Sequence, residues 1–276
     1  FVFVVDGRAG TCRIVRYAMS DLAADDRRYD VRIGPNHFSE DGLVLNLDTP
    51  ELTLHGEVRY DALVPWPVSR RSPGAMGWYA YVPLMQCFHG VVSLDHGLTG
   101  TLALDGEALG FDAGRGYIEK DWGRGFPRVW VWCQCNHFAA SPGTSLMVSV
   151  ATIPWLGRTF AGLLASLWHE GRLYRFTTYN RGKIRRLAVD DDTVRVMMTI
   201  PGFSLEVVVQ RGTRVALLHA PDAVDMVPRV GEALDATVWA RLTDRGGAAA
   251  WEGEGGPAAL EVQGDTAVLQ RMLGLD

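Results

Sequence analysis

The feature that most constrains this chain is its punctuation. Runs of alternating apolar and polar residues recur at intervals of roughly 8 to 12 residues, and turn signals close them before any helical period can build. Residues 1–5, 11–17, 30–33, 42–47 and 52–60 read as strands, with Asp6-Gly7, Asp41-Gly42 and Asp105-Gly106 as hairpin turns. The pattern resumes at 145–153, 159–168, 173–179, 183–189, 194–200 and 205–210. Between the two blocks, 78–83, 86–94 and 100–104 read as further strands, the last two joined through Asp95-His96-Gly97. Residues 63–77 hold Pro65, Pro67, Pro73 and Gly74, and this density of proline and glycine predicts a long ordered loop over a barrel mouth. Gly246–Ala250 and Gly253–Gly256 read as hairpin turns. Helical character is confined to residues 265–273, where Asp265 can cap a short apolar stripe.

About sixteen to eighteen strands are too many for one small barrel and fit two. The expected fold is therefore all-β, two lipocalin-like (calycin-type) antiparallel β-barrels with a short C-terminal helix. The division is placed at 1–112 and 113–276.

Composition enters through what it excludes. Charged residues make up 21% of the chain and its net charge is −5, which gives no basic footprint for nucleic acid. No run of eighteen apolar residues exists, so no integral membrane helix is expected, and a peripheral contact with a membrane stays open. The opening FVFVV is too short for a signal-peptide core, which makes the cytoplasm the expected compartment. Because the chain starts without Met and already within a strand-like run, a preceding segment is expected. The four cysteines, Cys12, Cys87, Cys133 and Cys135, lack a disulfide-framework spacing and read as reduced. Oligomeric state is not legible.

Residues 116–138 concentrate chemistry. Two strands, 117–122 and 129–138, flank Gly123, Gly125 and Pro127, a pattern that predicts a hairpin. Alternation puts Tyr117, Glu119 and Asp121 on one face, with Lys120 and Trp122 opposite. It likewise groups Trp130, Trp132, Gln134 and Asn136, the face expected toward a ligand. Val131, Cys133, Cys135 and His137 form the face expected toward packing. Cys133, Cys135 and His137 suggest zinc only weakly, since ligands two apart on a strand sit about 7 Å apart at Cα and no second Cys pair follows. No metal is expected.

The series Glu119, Lys120, Asp121, Trp122, Gly123, then Phe126, Pro127, then Trp130, Trp132, Gln134, Asn136, Phe138 resembles the signature of the tocopherol cyclase family. The stretches at Met76–Tyr79, His89–Ser93, Ile153–Trp155 and Leu260–Asp265 are similar as well, so the resemblance runs from about Ile33 to the C-terminus. It departs at Asp121, where the family commonly has Asn, and at Gln86, where related sequences often carry Glu.

The resemblance implies a two-barrel, lipocalin-like scaffold and a cofactor-free reaction on a small lipophilic substrate. In that reaction an alkene of a prenylated quinol is protonated and the phenol oxygen closes a ring. Protonating an alkene needs a carboxyl kept neutral by an apolar pocket. Glu119 is the first candidate and Asp121 the second, because a position that accepts Asn cannot be an obligatory donor. Asp121 could instead orient Lys120 or activate a substrate hydroxyl. Trp122, Trp130 and Trp132 could stabilise a cation, each by about 0.5 to 2 kcal/mol. Gln134 and Asn136 could bond a quinol oxygen, while Tyr79, Tyr81, His89 and Tyr117 complete the expected substrate-binding set. The alternative readings are ordinary ones: a solvated Glu-Lys-Asp run, core tryptophans, a satisfied core histidine, and a lumen that only binds an apolar ligand.

Overall fold

The computed structural model describes residues 1–83, 85–221 and 226–275, apart from the side chain of Pro221. Its strands are antiparallel and lie in three sheets: a two-stranded ribbon of Val2–Asp6 and Thr11–Val15, an eight-stranded sheet and a ten-stranded sheet. The eight-stranded sheet runs from Leu22–Ala24 to Gly114–Gly123, mostly as sequential hairpins. The ten-stranded sheet spans Trp130–Cys135 to Ala249–Gln263, and Trp130–Cys135 is held between Ser145–Trp155 and Ala249–Gln263. One α-helix, Ala267–Leu273, follows at the C-terminus, its end set by Gly274 in the left-handed region (φ 64°). The all-β antiparallel class with one short terminal helix thus agrees with the sequence.

Period-2 alternation builds the cores. Leu45, Leu47, Leu52, Leu54 and Val58 are buried on the first large sheet. Val131, Cys133, Cys135, Val148, Val150 and Leu260 belong to the core of the second. A third cluster joins Trp66 and Ala75 of the proline-rich loop to Val91, Leu94 and Met147, so the loop is packed from below. Fully burying side chains of this size stabilises the fold by about 1.5 to 3 kcal/mol each.

Four expectations are corrected. Gly114–Gly123 and Trp130–Cys135 do not pair with each other: the first pairs with Cys87–Leu104, and the second joins the ten-stranded sheet. Residues 124–129 therefore cross between sheets, and the sheet change lies after Gly123. A division after residue 112 would part Gly114–Gly123 from the strand it pairs with. Local turn chemistry specifies a bend, not which strand is waiting beyond it.

Second, residues expected as a strand at 78–83 include the 3-10 helix Gly77–Tyr81, entered through Gly77 at φ 60° with the Tyr179 ring packed where a Cβ would stand. Third, Asp95-His96-Gly97 makes no turn but lies inside the single strand Cys87–Leu104. Its polar side chains are buried and paired: Asp95 with Arg115, and His96 Nδ1 with Ser93 Oγ at 3.0 Å. Fourth, Gly253–Gly256 is mid-strand rather than a turn. Those glycines admit large neighbours instead, the Trp251 ring over Gly253 and the Cys135 thiol and Phe138 ring against Gly255.

Candidate active site

A cavity of about 220 Å³ lies between the two large sheets and the proline-rich loop. Register orders its walls. Ser149, Ala151 and Ile153 project into it from Ser145–Trp155, facing Leu164, Gly162 and Phe160 of Arg158–His169 in the same sequence. Ser149 is level with Trp132, which in turn is level with Glu261, and Ala151 is level with Trp130. Ile153 and Phe160 lie beyond, toward the turn at Trp155–Arg158. The cavity therefore has an acidic, Trp-walled inner end and an apolar outer end. Gly162 keeps it open, since a Cβ there would stand 2.6 Å from Ile153 Cγ1.

Alternation on Gly114–Gly123 delivers Glu119 and Asp121 to the inner end and turns Lys120 and Trp122 outward. His89 is the register partner of Asp121, and its Nδ1 lies 2.8 Å from Asp121 Oδ1. Its Nε2 is 3.5 Å from Glu119 Oε2 and has no hydrogen-bond partner. The Tyr117 hydroxyl donates to Glu119 Oε2 at 2.7 Å, and the Trp130 indole N–H donates to Glu261 Oε2 at 2.6 Å. Glu232 faces Glu261 across the next ladder.

Too many acids share this space for all to ionise freely. Burial raises the Glu119 carboxyl above its usual value and repulsion from Asp121 adds to that, against the pull of His89 and the Tyr117 hydroxyl. The Trp132 indole N–H pulls the same way as Tyr117, although it lacks full hydrogen-bond geometry. Burial, then mutual repulsion, pushes Glu232 to about 7. Burial likewise pushes Glu261 to about 7, despite the Trp130 hydrogen bond. Burial alone would lower the His89 imidazole, but its Asp121 hydrogen bond and the surrounding carboxylates outweigh this and raise it. Burial and the adjacent Glu119 hold Tyr117 firmly protonated.

A neutral carboxyl in an apolar chamber can donate a proton, and an imidazole held by Asp121 can stabilise or relay one. Donor atoms of His89, Glu119 and Asp121 also lie within 4.8 Å of one another, close enough to hold a cation.

The structure brings together Glu119, Asp121, His89, Trp130, Trp132 and Tyr79 around the cavity, with Tyr117 behind Glu119. It leaves others out. Lys120 is exposed, its ammonium 5.1 Å from the centre of the Trp122 ring, and Asp121 bonds His89 instead of orienting it. Trp122 stacks outside the cavity on Phe88, with centroids 5.4 Å apart. Gln134 is buried away from the lining. Asn136 donates to Gly116 O at 2.8 Å and Asp95 Oδ1 at 3.3 Å, tying the two large sheets together. Tyr81 is exposed and donates to Arg70 O at 2.6 Å.

Cys133 and Cys135 are buried in the core while His137 is exposed, which separates the three as zinc ligands. Sequence reasoning missed Glu261 and Glu232. The available signal for Glu261 was its place in the Leu260–Asp265 segment; Glu232 carried none.

The profile of the family described as "Tocopherol cyclase-like" matches residues 42–264. A rice (Oryza sativa subsp. japonica) protein described as "Probable tocopherol cyclase, chloroplastic" is 33% identical over 116 residues, 41% of this chain and 24% of that protein. The maize (Zea mays) "Tocopherol cyclase, chloroplastic" is 32% identical over the same length and shares. These matches thus span about a quarter of the curated relatives. Among solved structures, kievitone hydratase from Nectria haematococca is similar at 12% identity and a TM-score of 0.49, covering 87% of this chain and 72% of that one.

Proposed function

The chain belongs to the tocopherol cyclase-like family, and from that premise we propose that its cavity closes a C–O ring in a lipophilic prenylated quinol or similar isoprenoid. The reaction is an intramolecular isomerisation driven by acid and needs no cofactor. The supporting observation is Glu119: a half-buried carboxyl with a raised pKa, lining a Trp-walled, mostly apolar cavity.

In this reading Glu119 gives its proton to the less substituted carbon of a trisubstituted alkene. The alkene's π pair forms the new C–H bond and leaves a tertiary cation on the neighbouring carbon. The faces of Trp130 and Trp132 stabilise that cation by about 0.5 to 2 kcal/mol each. The phenol oxygen then attacks the cation, and its proton passes, directly or through the neighbouring cavity carboxylates, back to the Glu119 carboxylate, so the cycle closes with no net change in protons. Tyr117 and the Asp121–His89 pair position Glu119 and set its charge surroundings.

The test is incubation of the protein and of Glu119→Gln with a prenylated hydroquinone, following the ring-closed chromanol by chromatography. Turnover by the parent and a loss of about 10²-fold or more in the variant is expected. Turnover that survives intact in Glu119→Gln overturns the acid assignment. Binding without turnover in the parent leaves the cavity as a carrier site for an apolar ligand.

A further inference from the structure

The outer end of the cavity continues into an exposed surface that the chemistry above does not use. Trp78 stacks on Tyr79 with centroids 4.1 Å apart and meets Trp155 edge-on at 6.3 Å, and Tyr79 also contacts Phe160 of the cavity wall. Beside Trp155, at the tip of the turn, Leu156 is 89% exposed. Tyr81, bonded to Arg70 O, links this cluster to the loop carrying Val68, which is 68% exposed. Trp78 and Tyr81 are 46% and 61% exposed. An aromatic and aliphatic rim therefore lies beside the outer end, joined to the cavity wall through Tyr79 and Phe160.

Charge on this rim is one-sided. Arg70, Arg71 and Arg158 are exposed on it, and Arg124 and Arg128 are exposed beside Phe126 and Pro127 of the lining. The chain carries no Asp or Glu between Asp61 and Asp95, nor between Asp121 and Glu170, the two stretches that carry the rim residues named above. In a protein of net charge −5, two aromatic stretches that hold exposed arginines and no acid are a local inversion of the charge balance. Trp and Tyr favour the boundary between headgroups and acyl chains, and each Arg near an anionic leaflet adds attraction that salt screens.

We propose that this rim docks the protein on an anionic lipid surface, with Trp78, Tyr81, Val68 and Leu156 entering the interfacial layer and Arg70, Arg71 and Arg158 meeting lipid headgroups. Docking sets the outer end of the cavity against the bilayer, so that an amphiphilic ligand enters without crossing water. The docking surface stands independently of the cyclisation chemistry, because it rests on rim residues and not on Glu119.

The test is co-sedimentation of the purified protein with neutral phosphatidylcholine vesicles and with vesicles containing about one-third phosphatidylglycerol. No substrate is present, so the outcome does not depend on turnover. Binding to the anionic vesicles is expected, weakened by salt. Arg70→Glu with Arg71→Glu, and separately Leu156→Asp, are each expected to reduce it about tenfold or more. Leu156 sits at φ 47°, a region that Asp tolerates, so that variant keeps its fold. Sedimentation velocity runs in parallel. Absence of vesicle binding, equal binding to neutral vesicles, binding unchanged by both variants, or a rim that instead joins two copies of the chain each overturns the proposal.

Discussion

His89 and Asp121 are register partners on adjacent strands, and the imidazole Nδ1 lies 2.8 Å from the Asp121 carboxylate. That bond gives Asp121 a defined duty distinct from proton donation to a substrate. Asp121→Asn should therefore retain turnover to within about tenfold, while Glu119→Gln loses about 10²-fold or more. It should also lower the titration midpoint of His89, read by NMR of the ring nitrogens, because the largest influence raising that midpoint is removed. Turnover falling as far in Asp121→Asn as in Glu119→Gln would move the acid role to Asp121.

The acidic end predicts a pH dependence of stability with a definite sign. Glu232 and Glu261 are raised from 4.5 to about 7, so the folded state holds protons that the unfolded chain has released. Their contribution is fully present below about pH 4.5 and is lost as pH rises through about 7. Glu119 and His89, both raised, act in the same direction. The thermal midpoint should fall across that window, and Glu232→Gln should flatten the fall. A midpoint that climbs through the same window contradicts the reading.

The same protonation should shape activity. An acid that must carry its proton gives a rate that declines as pH rises through its folded pKa, which for Glu119 lies above 4.5. A pH profile of kcat/KM should accordingly show a basic limb, and a rate that increases steadily with pH would assign the limiting step to a base.

Gly116 bears on the seam between the sheets. A Cβ there would stand 2.2 Å from His96 Nε2, inside a buried ring held by Ser93. Gly116→Ala should destabilise the protein by about 1 to 3 kcal/mol in denaturant titration. A neutral result would mean that His96 moves freely there.

Because His89, Glu119 and Asp121 could hold a cation, chelation separates two uses of the same atoms. Turnover should be unchanged after dialysis against EDTA. Loss on chelation, restored by a divalent ion, would make these residues metal ligands.

The sequence by itself determined the fold class and much of the inner site. Period-2 alternation fixes which face each strand residue takes, so Glu119 with Asp121, and Trp130 with Trp132, could be grouped before any coordinates, and Cys133 and Cys135 assigned to packing. Only the tertiary structure decided what those faces meet. Strand pairing is non-local, and nothing near residues 116–138 specifies that Gly114–Gly123 pairs with Cys87–Leu104 while Trp130–Cys135 pairs with Ala249–Gln263. That choice seats His89 against Asp121 and brings Glu261, far away in sequence, to the Trp130 indole. It also spends Asn136 on the seam between sheets. The proton chemistry of the cavity follows from these long-range pairings, because the pKa of a buried carboxyl depends on the charges and apolar walls folded around it.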